Sequence, residues 1–169
     1  MKKWLKIVII ILVILLCIGV IYGAISVNNK DAECDSFSIQ MPHDYSVIST
    51  SDRAISIENN QFTSSIFKIN KLNNNNTTYI KTAANGEFVN GSKVISTNTL
   101  DMASDNFTNF TIQRTEITNK DEYQLYAEFV KDDTKYSITR TYTNENSFNQ
   151  SADNDLGTIL NLAVSIDKK

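Results

Sequence analysis

Nineteen consecutive residues, Ile7 through Ile25 (IVIIILVILLCIGVIYGAI), carry neither a charge nor a strongly polar side chain, and fourteen of them are Ile, Leu or Val. As a helix this run is about 28 Å long, close to the hydrocarbon thickness of a bilayer. Insertion is favourable by about 4–8 kcal/mol on a translocon-type scale. β-branching is no obstacle, because in lipid the backbone must satisfy its own hydrogen bonds and a helix does so. Trp4 and Tyr22 sit near its two ends, where amphipathic rings prefer the interface. Lys2, Lys3 and Lys6 precede the run and no acidic residue does. The positive-inside bias then puts the N-terminus in the cytoplasm and everything after residue 25 outside.

Two other readings compete. A cleaved signal peptide has an apolar region of about 7–15 residues, shorter than this one, although Ala24-Ile25-Ser26 offers a small-x-small cleavage site. A lipoprotein wants a small residue before its cysteine, whereas Leu16 precedes Cys17. The reading adopted is a signal anchor: a basic cytoplasmic N-terminus at 1–6, a single-pass transmembrane helix at 7–25, a polar linker at 26–36 (SVNNKDAECDS) and an extracytoplasmic domain at 37–169. That domain is long enough for one core without disulfide staples. Cys17 and Cys34 fall on either side of a membrane boundary and do not pair. Cys34 reads as a linker cysteine, with an intermolecular disulfide as its competing role.

Beyond the membrane run there are 13 basic and 19 acidic residues, a net of −6. A domain of that sign, without a basic stripe, repels phosphate backbones and anionic headgroups, and no nucleic acid partner is expected. The expected contacts are membrane lipid through residues 7–25 and an envelope protein partner.

The domain reads as short alternating strands. Phe37–Met41 alternates apolar and polar, Pro42-His43-Asp44 turns, and Tyr45–Ser49 follows. Ala54–Glu58 and Ser64–Leu72 make the next pair around Asn59-Asn60-Gln61, and Asn73–Asn76 is a loop. Thr77–Phe88 has a helical stripe (Tyr79, Ile80, Ala83, Ala84) with a stop at Asn85-Gly86, and Val94–Leu100 returns to strand. Residues 107–142 form an antiparallel meander with one wetted side, turning at Asn119-Lys120-Asp121 and Asp132-Asp133. Tyr123, Leu125, Ala127 and Phe129 share a face, as do Tyr136, Ile138 and Tyr142. A short helix capped by Asp153 or Asn154 carries Leu156, Ile159, Leu160 and Ala163 on one stripe, and Val164–Ile166 ends as a brief strand. The expected class is α+β: an antiparallel β-sheet of about six to eight strands with two packed helices, preceded by one transmembrane helix.

The opening FSIQMPHDY, the mid-chain helix, the meander EYQLYAEFVKDDTKYSITRTY and the closing DLGTILNLAVSI resemble, in that order, PsbP/Mog1/DcrB-like domains over about residues 37–166. The resemblance implies a fold more than a function. The family's members are mostly lumenal, periplasmic or partner-binding proteins with unrelated roles, and they share no catalytic set to carry over.

Chemistry is hard to place. His43 is the sole histidine and sits in a turn, so a Ser-His-Asp or Cys-His arrangement has one residue to build on. His43 and Cys34 alone do not make a zinc site. Asp153-Asn154-Asp155 and Asp132-Asp133 are oxygen-rich but lack the glycine and distant glutamate of an EF-hand, and read as a helix cap and a hairpin turn. Five glycines form no phosphate loop. No catalytic, cofactor-binding or metal-ligating set is assigned, and no cofactor is expected.

Six asparagines, Asn75, Asn76, Asn90, Asn106, Asn109 and Asn149, lie in N-x-S/T sequons, with the loop pair Asn75/Asn76 the best placed. Tyr126 and Tyr142, on opposite faces of the meander, are candidates for a contact patch. The expected function is a membrane-anchored extracytoplasmic binding or assembly-accessory domain that is not an enzyme. The alternatives are a structural surface glycoprotein and a carboxylate-dependent cell-surface hydrolase.

Overall fold

The computed structural model describes residues 31–62, 65–73, 85–89, 92–100 and 107–169. The membrane run at 7–25 lies outside the described residues, as does most of the helix expected at Thr77–Phe88. Among the described residues no helix is long and apolar enough to cross a membrane.

The domain begins at Asp31, so the end of the stretch read as linker belongs to it. Strand β1 (Asp31–Glu33) pairs antiparallel with β2 (Phe37–Gln40), burying Ala32 and Cys34 in the core. Polar flanking residues hide a strand this short. A buried thiol also removes Cys34 from intermolecular pairing.

Eight strands form the main antiparallel sheet. They are β3 (Tyr45–Ser51), β4 (Ala54–Asn59), β5 (Ile66–Lys71), β6 (Phe88–Val89), β7 (Ser92–Leu100), β8 (Phe107–Ile117), β9 (Glu122–Lys131) and β10 (Thr134–Tyr142). Their order is β3-β4-β5-β10-β9-β8-β7-β6. The β9–β10 turn works because Asp132 and Asp133 both adopt positive φ, 47° and 57°, and Asp tolerates that region better than most residues. Gly86, the expected left-handed stop, has φ +85°.

The front face of this sheet is the core. Ile112, Ala127, Ile138, Ile69 and Ile55 lie in one row across five strands, and the last four are fully buried. Phe110 stacks on Phe129 at 4.8 Å, and Tyr136 packs against Phe129 and Phe37.

Helix α1 (Glu145–Ser165) covers that face against β9 and β10 and touches β2. It starts well before the expected cap: Asn144 is the N-cap and its side chain accepts from Ser147 N at 2.9 Å. The stripe Phe148, Ala152, Asp155, Ile159, Leu162 continues at helical spacing through Asp153 and Asn154, so neither acts as a cap. Phe148 meets Tyr123 at 5.3 Å and Tyr142 at 5.2 Å, which fixes the first turns on the sheet. Burying a ring of this kind stabilises by about 1.5–3 kcal/mol. The chain closes with β11 (Asp167–Lys168), which pairs with β2 and makes a small second sheet, β1-β2-β11.

The structure corrects the expectation of a single sheet, and it wets the polar side of the meander only in part. There are two sheets, and the back face of the meander is half-buried at Gln124, Tyr126, Lys135 and Thr139 and exposed at Thr141, yet buried elsewhere. Thr111, Gln113, Thr115, Glu128 and Ser137 are all under 9% exposed. Alternation reports polarity, and here polarity does not coincide with exposure.

Candidate functional site

Most charged groups inside the domain hold its layers together. Asp155, on the buried face of α1, accepts from Arg140 Nε at 3.3 Å and from Tyr142 OH at 2.7 Å. The Arg140 guanidinium lies 4.5 Å from the centre of the Tyr142 ring. Burial, and then the bond to Asp155, push the Tyr142 hydroxyl's ionisation well above its usual value. Tyr142 is therefore core and not half of a contact patch. Tyr126 lies on the other face and donates to Glu128 at 3.2 Å.

Lys131 donates to the carbonyls of Val164 at 2.6 Å and Ile166 at 2.5 Å, placing a cation on the carbonyl end of α1 where the helix dipole favours it. Burial lowers its pKa. On the back face Lys135 pairs with Glu128 at 3.0 Å. Near the surface Arg114 pairs with Asp153 at 2.5 Å and Lys169 with Glu33 at 2.6 Å.

The other oxygen-rich and titratable candidates come to rest separately. His43 is exposed in its turn with Nδ1 3.2 Å from Asp44 Oδ1, Cys34 is in the core, and Asp132-Asp133 make a hairpin turn. Among the described residues no three His, Cys, Asp or Glu side chains converge as a metal group would require. Of the sequons, Asn109 occupies a positive-φ position (57°) at the β8 bulge and Asn149 is exposed on α1. Asn75, Asn76, Asn90 and Asn106 lie outside the described residues.

What the structure does bring together is a recess of about 450 Å³ lined by Arg53, Lys71, Leu72, Asn73, Asp133, Thr134 and Lys168. Antiparallel pairing explains the convergence. The β3–β4 turn, the end of β5 and the β9–β10 turn all fall at one end of the main sheet, and β11 ends beside them. Lys71 N donates to Arg53 O at 2.9 Å and Leu72 N to Lys135 O at 2.8 Å, tying the three segments together. The Arg53 guanidinium donates to Asn73 Oδ1 and, at 3.4 Å, to Leu72 O. Both acceptors are neutral, so neither hydrogen bond pairs the guanidinium with a carboxylate. No ion pair among the described residues includes Arg53, Lys71 or Lys168. Spacing along the chain held no sign of this cluster, because only strand pairing unites residues 53, 71 and 168.

A second exposed feature is the edge strand β3, whose residues after Tyr45 are all exposed, Val47 and Ile48 included. It carries no charged side chain, and a bulge between Val47 and Ser49 interrupts its pairing. The opposite edge, β6, is two residues long.

No protein-family model matches the chain. No curated protein is similar to it in sequence. Among solved structures it is similar to the solution structure of cyanobacterial PsbP (CyanoP) from Synechocystis sp. PCC 6803, at 7% identity and a TM-score of 0.48, covering 83% of this chain and 92% of that one. It is also similar to a crystal structure from Bacteroides thetaiotaomicron, at 10% identity and a TM-score of 0.40, covering 84% of this chain. The chain spans about half (49%) of the length of that second structure. The first neighbour bears the family name that the opening residues suggest. Likenesses this loose carry no argument about what the chain does, and they assign it to no family.

Proposed function

We propose that this chain is a membrane-anchored binding or assembly-accessory domain, held outside the cytoplasm by residues 7–25 and acting by surface contact with envelope components without catalysis. The observation that carries the reading is the uncharged, lipid-length run with three lysines on its N-terminal side and no acid there. The domain's interior is compatible with it. Arg140, Asp155, Lys131 and Glu128 are buried in contacts that join helix to sheet or strand to strand, which is what a rigid module presenting a surface requires.

Alkaline carbonate extraction of cells producing the full chain tests the anchor. The expected result is full-length protein in the membrane pellet after extraction. Release into the supernatant, or a chain shortened by cleavage near Ser26, overturns the anchored reading. Cross-linking in intact cells tests the contact function: one dominant adduct is expected, and a smear without a discrete species contradicts a specific partner.

A further inference from the structure

We propose that the recess lined by Arg53, Lys71 and Lys168 is a binding site for a phosphate-type oxyanion. It goes beyond the anchored reading and stands independently of it. From Asp31 onward the domain has 12 basic and 19 acidic residues, a net charge of −7, so cations gathered in one recess run against the overall balance. Elsewhere the cations that line the interior or its rim are committed: Arg114, Lys131, Lys135, Arg140 and Lys169 each have an acidic or carbonyl partner. Lys68, Lys93 and Lys120 share the lack of a described ion pair but are not on the lining of this recess.

The recess also presents donors in the right form. Asn73 spends its carbonyl oxygen on Arg53, which leaves the amide –NH₂ as the donor it can offer a ligand. Lysine ammonium and the remaining guanidinium N–H groups are donor-only. Ligands that are acceptor-only, carry more than one negative charge and accept from several directions match this set, and phosphate does so. Asp133 is the one acid on the lining. It offsets one of the three cations, and the net positive field that remains favours a dianion about twice as strongly as a monoanion. Free phosphate and the phosphomonoester headgroup of phosphatidic acid share this chemistry.

The test uses the full chain in uncharged detergent micelles, followed by amide NMR while inorganic phosphate is added at pH 7.5 and constant ionic strength. Saturable shifts confined to residues 53, 71–73, 133–134 and 168 are expected, with sodium chloride producing none. The double variant Lys71→Gln/Lys168→Gln removes two charge-assisted contacts and weakens binding by about tenfold or more. Lys93→Gln/Lys120→Gln, which alters net charge equally at residues outside the recess, leaves binding within twofold.

A parallel arm places the chain in nanodiscs of phosphatidylcholine with or without phosphatidic acid, whose phosphomonoester is the lipid counterpart of free phosphate. Shifts at the same amides on adding the anionic lipid point to a headgroup, and shifts with free phosphate alone point to a soluble ligand. Either supports the site. Shifts in neither arm, or shifts that chloride or the Lys93/Lys120 variant affects equally, overturn it.

Discussion

The two faces of the main sheet use the same strands to opposite ends. On the front, Phe67, Ile69, Phe110, Leu125, Phe129 and Ile138 are buried against α1 and the small sheet. There the polar groups are few, and Asp155 and Arg140 find each other. On the back, in the same strands one residue out of phase, Thr111, Gln113, Thr115, Glu128 and Ser137 are equally buried but polar. Gln113 Nε2 reaches Thr97 Oγ1 at 3.1 Å and Glu128 takes both Lys135 and Tyr126. Thr115 Oγ1 has no hydrogen-bond partner among the described residues. Apolar area stabilises the front, whereas satisfied hydrogen bonds limit the cost of burial on the back. Equal burial therefore does not mean equal contribution.

Truncation on the front separates the faces most sharply. Phe129→Ala deletes a fully buried ring that touches Phe107, Phe110 and Tyr136, and a loss of about 3–5 kcal/mol is expected in urea unfolding. A loss below about 1 kcal/mol would mean the face is not packed as described. Next comes the buried charge. Asp155→Asn removes the buried carboxylate charge that Arg140 and Tyr142 share beneath α1, and a loss of about 3 kcal/mol is expected by the same assay. If Arg140→Met together with Asp155→Leu restores stability, the pair serves to orient the helix and not to stabilise it.

Tyr142→Phe removes one hydrogen bond to a charged acceptor, worth about 1.5–3 kcal/mol at neutral pH. Its pH signature is the sharper test. The folded protein holds this hydroxyl's ionisation above the ordinary value of 10.0, chiefly by burial. Its contribution is complete below pH 10.0 and is lost as pH rises towards the folded-state value, because the unfolded chain ionises first. The gap in stability between the parent protein and Tyr142→Phe should therefore shrink above pH 10. A gap that widens there contradicts the buried geometry.

The smallest effect belongs to the back face. Thr115→Val keeps the shape and removes a hydroxyl without a described partner, so a change within about 0.5 kcal/mol, or a slight gain, is expected from thermal unfolding. A loss above about 2 kcal/mol would show that the hydroxyl is satisfied and that the back face contributes as the front does.

Period-2 alternation made most of this sheet legible before any coordinates. Phe37–Met41, Ala54–Glu58 and the 107–142 meander lie where alternation and turn residues place them. The reading failed where pattern and exposure part. Strand β1 is three residues of DAE, too short for periodicity. The start of α1 was hidden because Asn144, Glu145, Asn146 and Ser147 resemble a loop, although Phe148 and Ala152 extend the apolar stripe by about two more turns. Thr111, Gln113 and Glu128 are buried against their polarity. The recess was not legible at all, since residues 53, 71 and 168 meet through strand order alone.

Impermeant maleimide labelling of intact cells tests the central claim most directly. Lys120→Cys places a thiol in the exposed β8–β9 turn, while Cys34 is buried. Rapid labelling of the variant before lysis, at the rate seen after lysis, is the result expected of a domain facing outward. Labelling that appears only once the membrane is opened would put the domain in the cytoplasm and contradict the account.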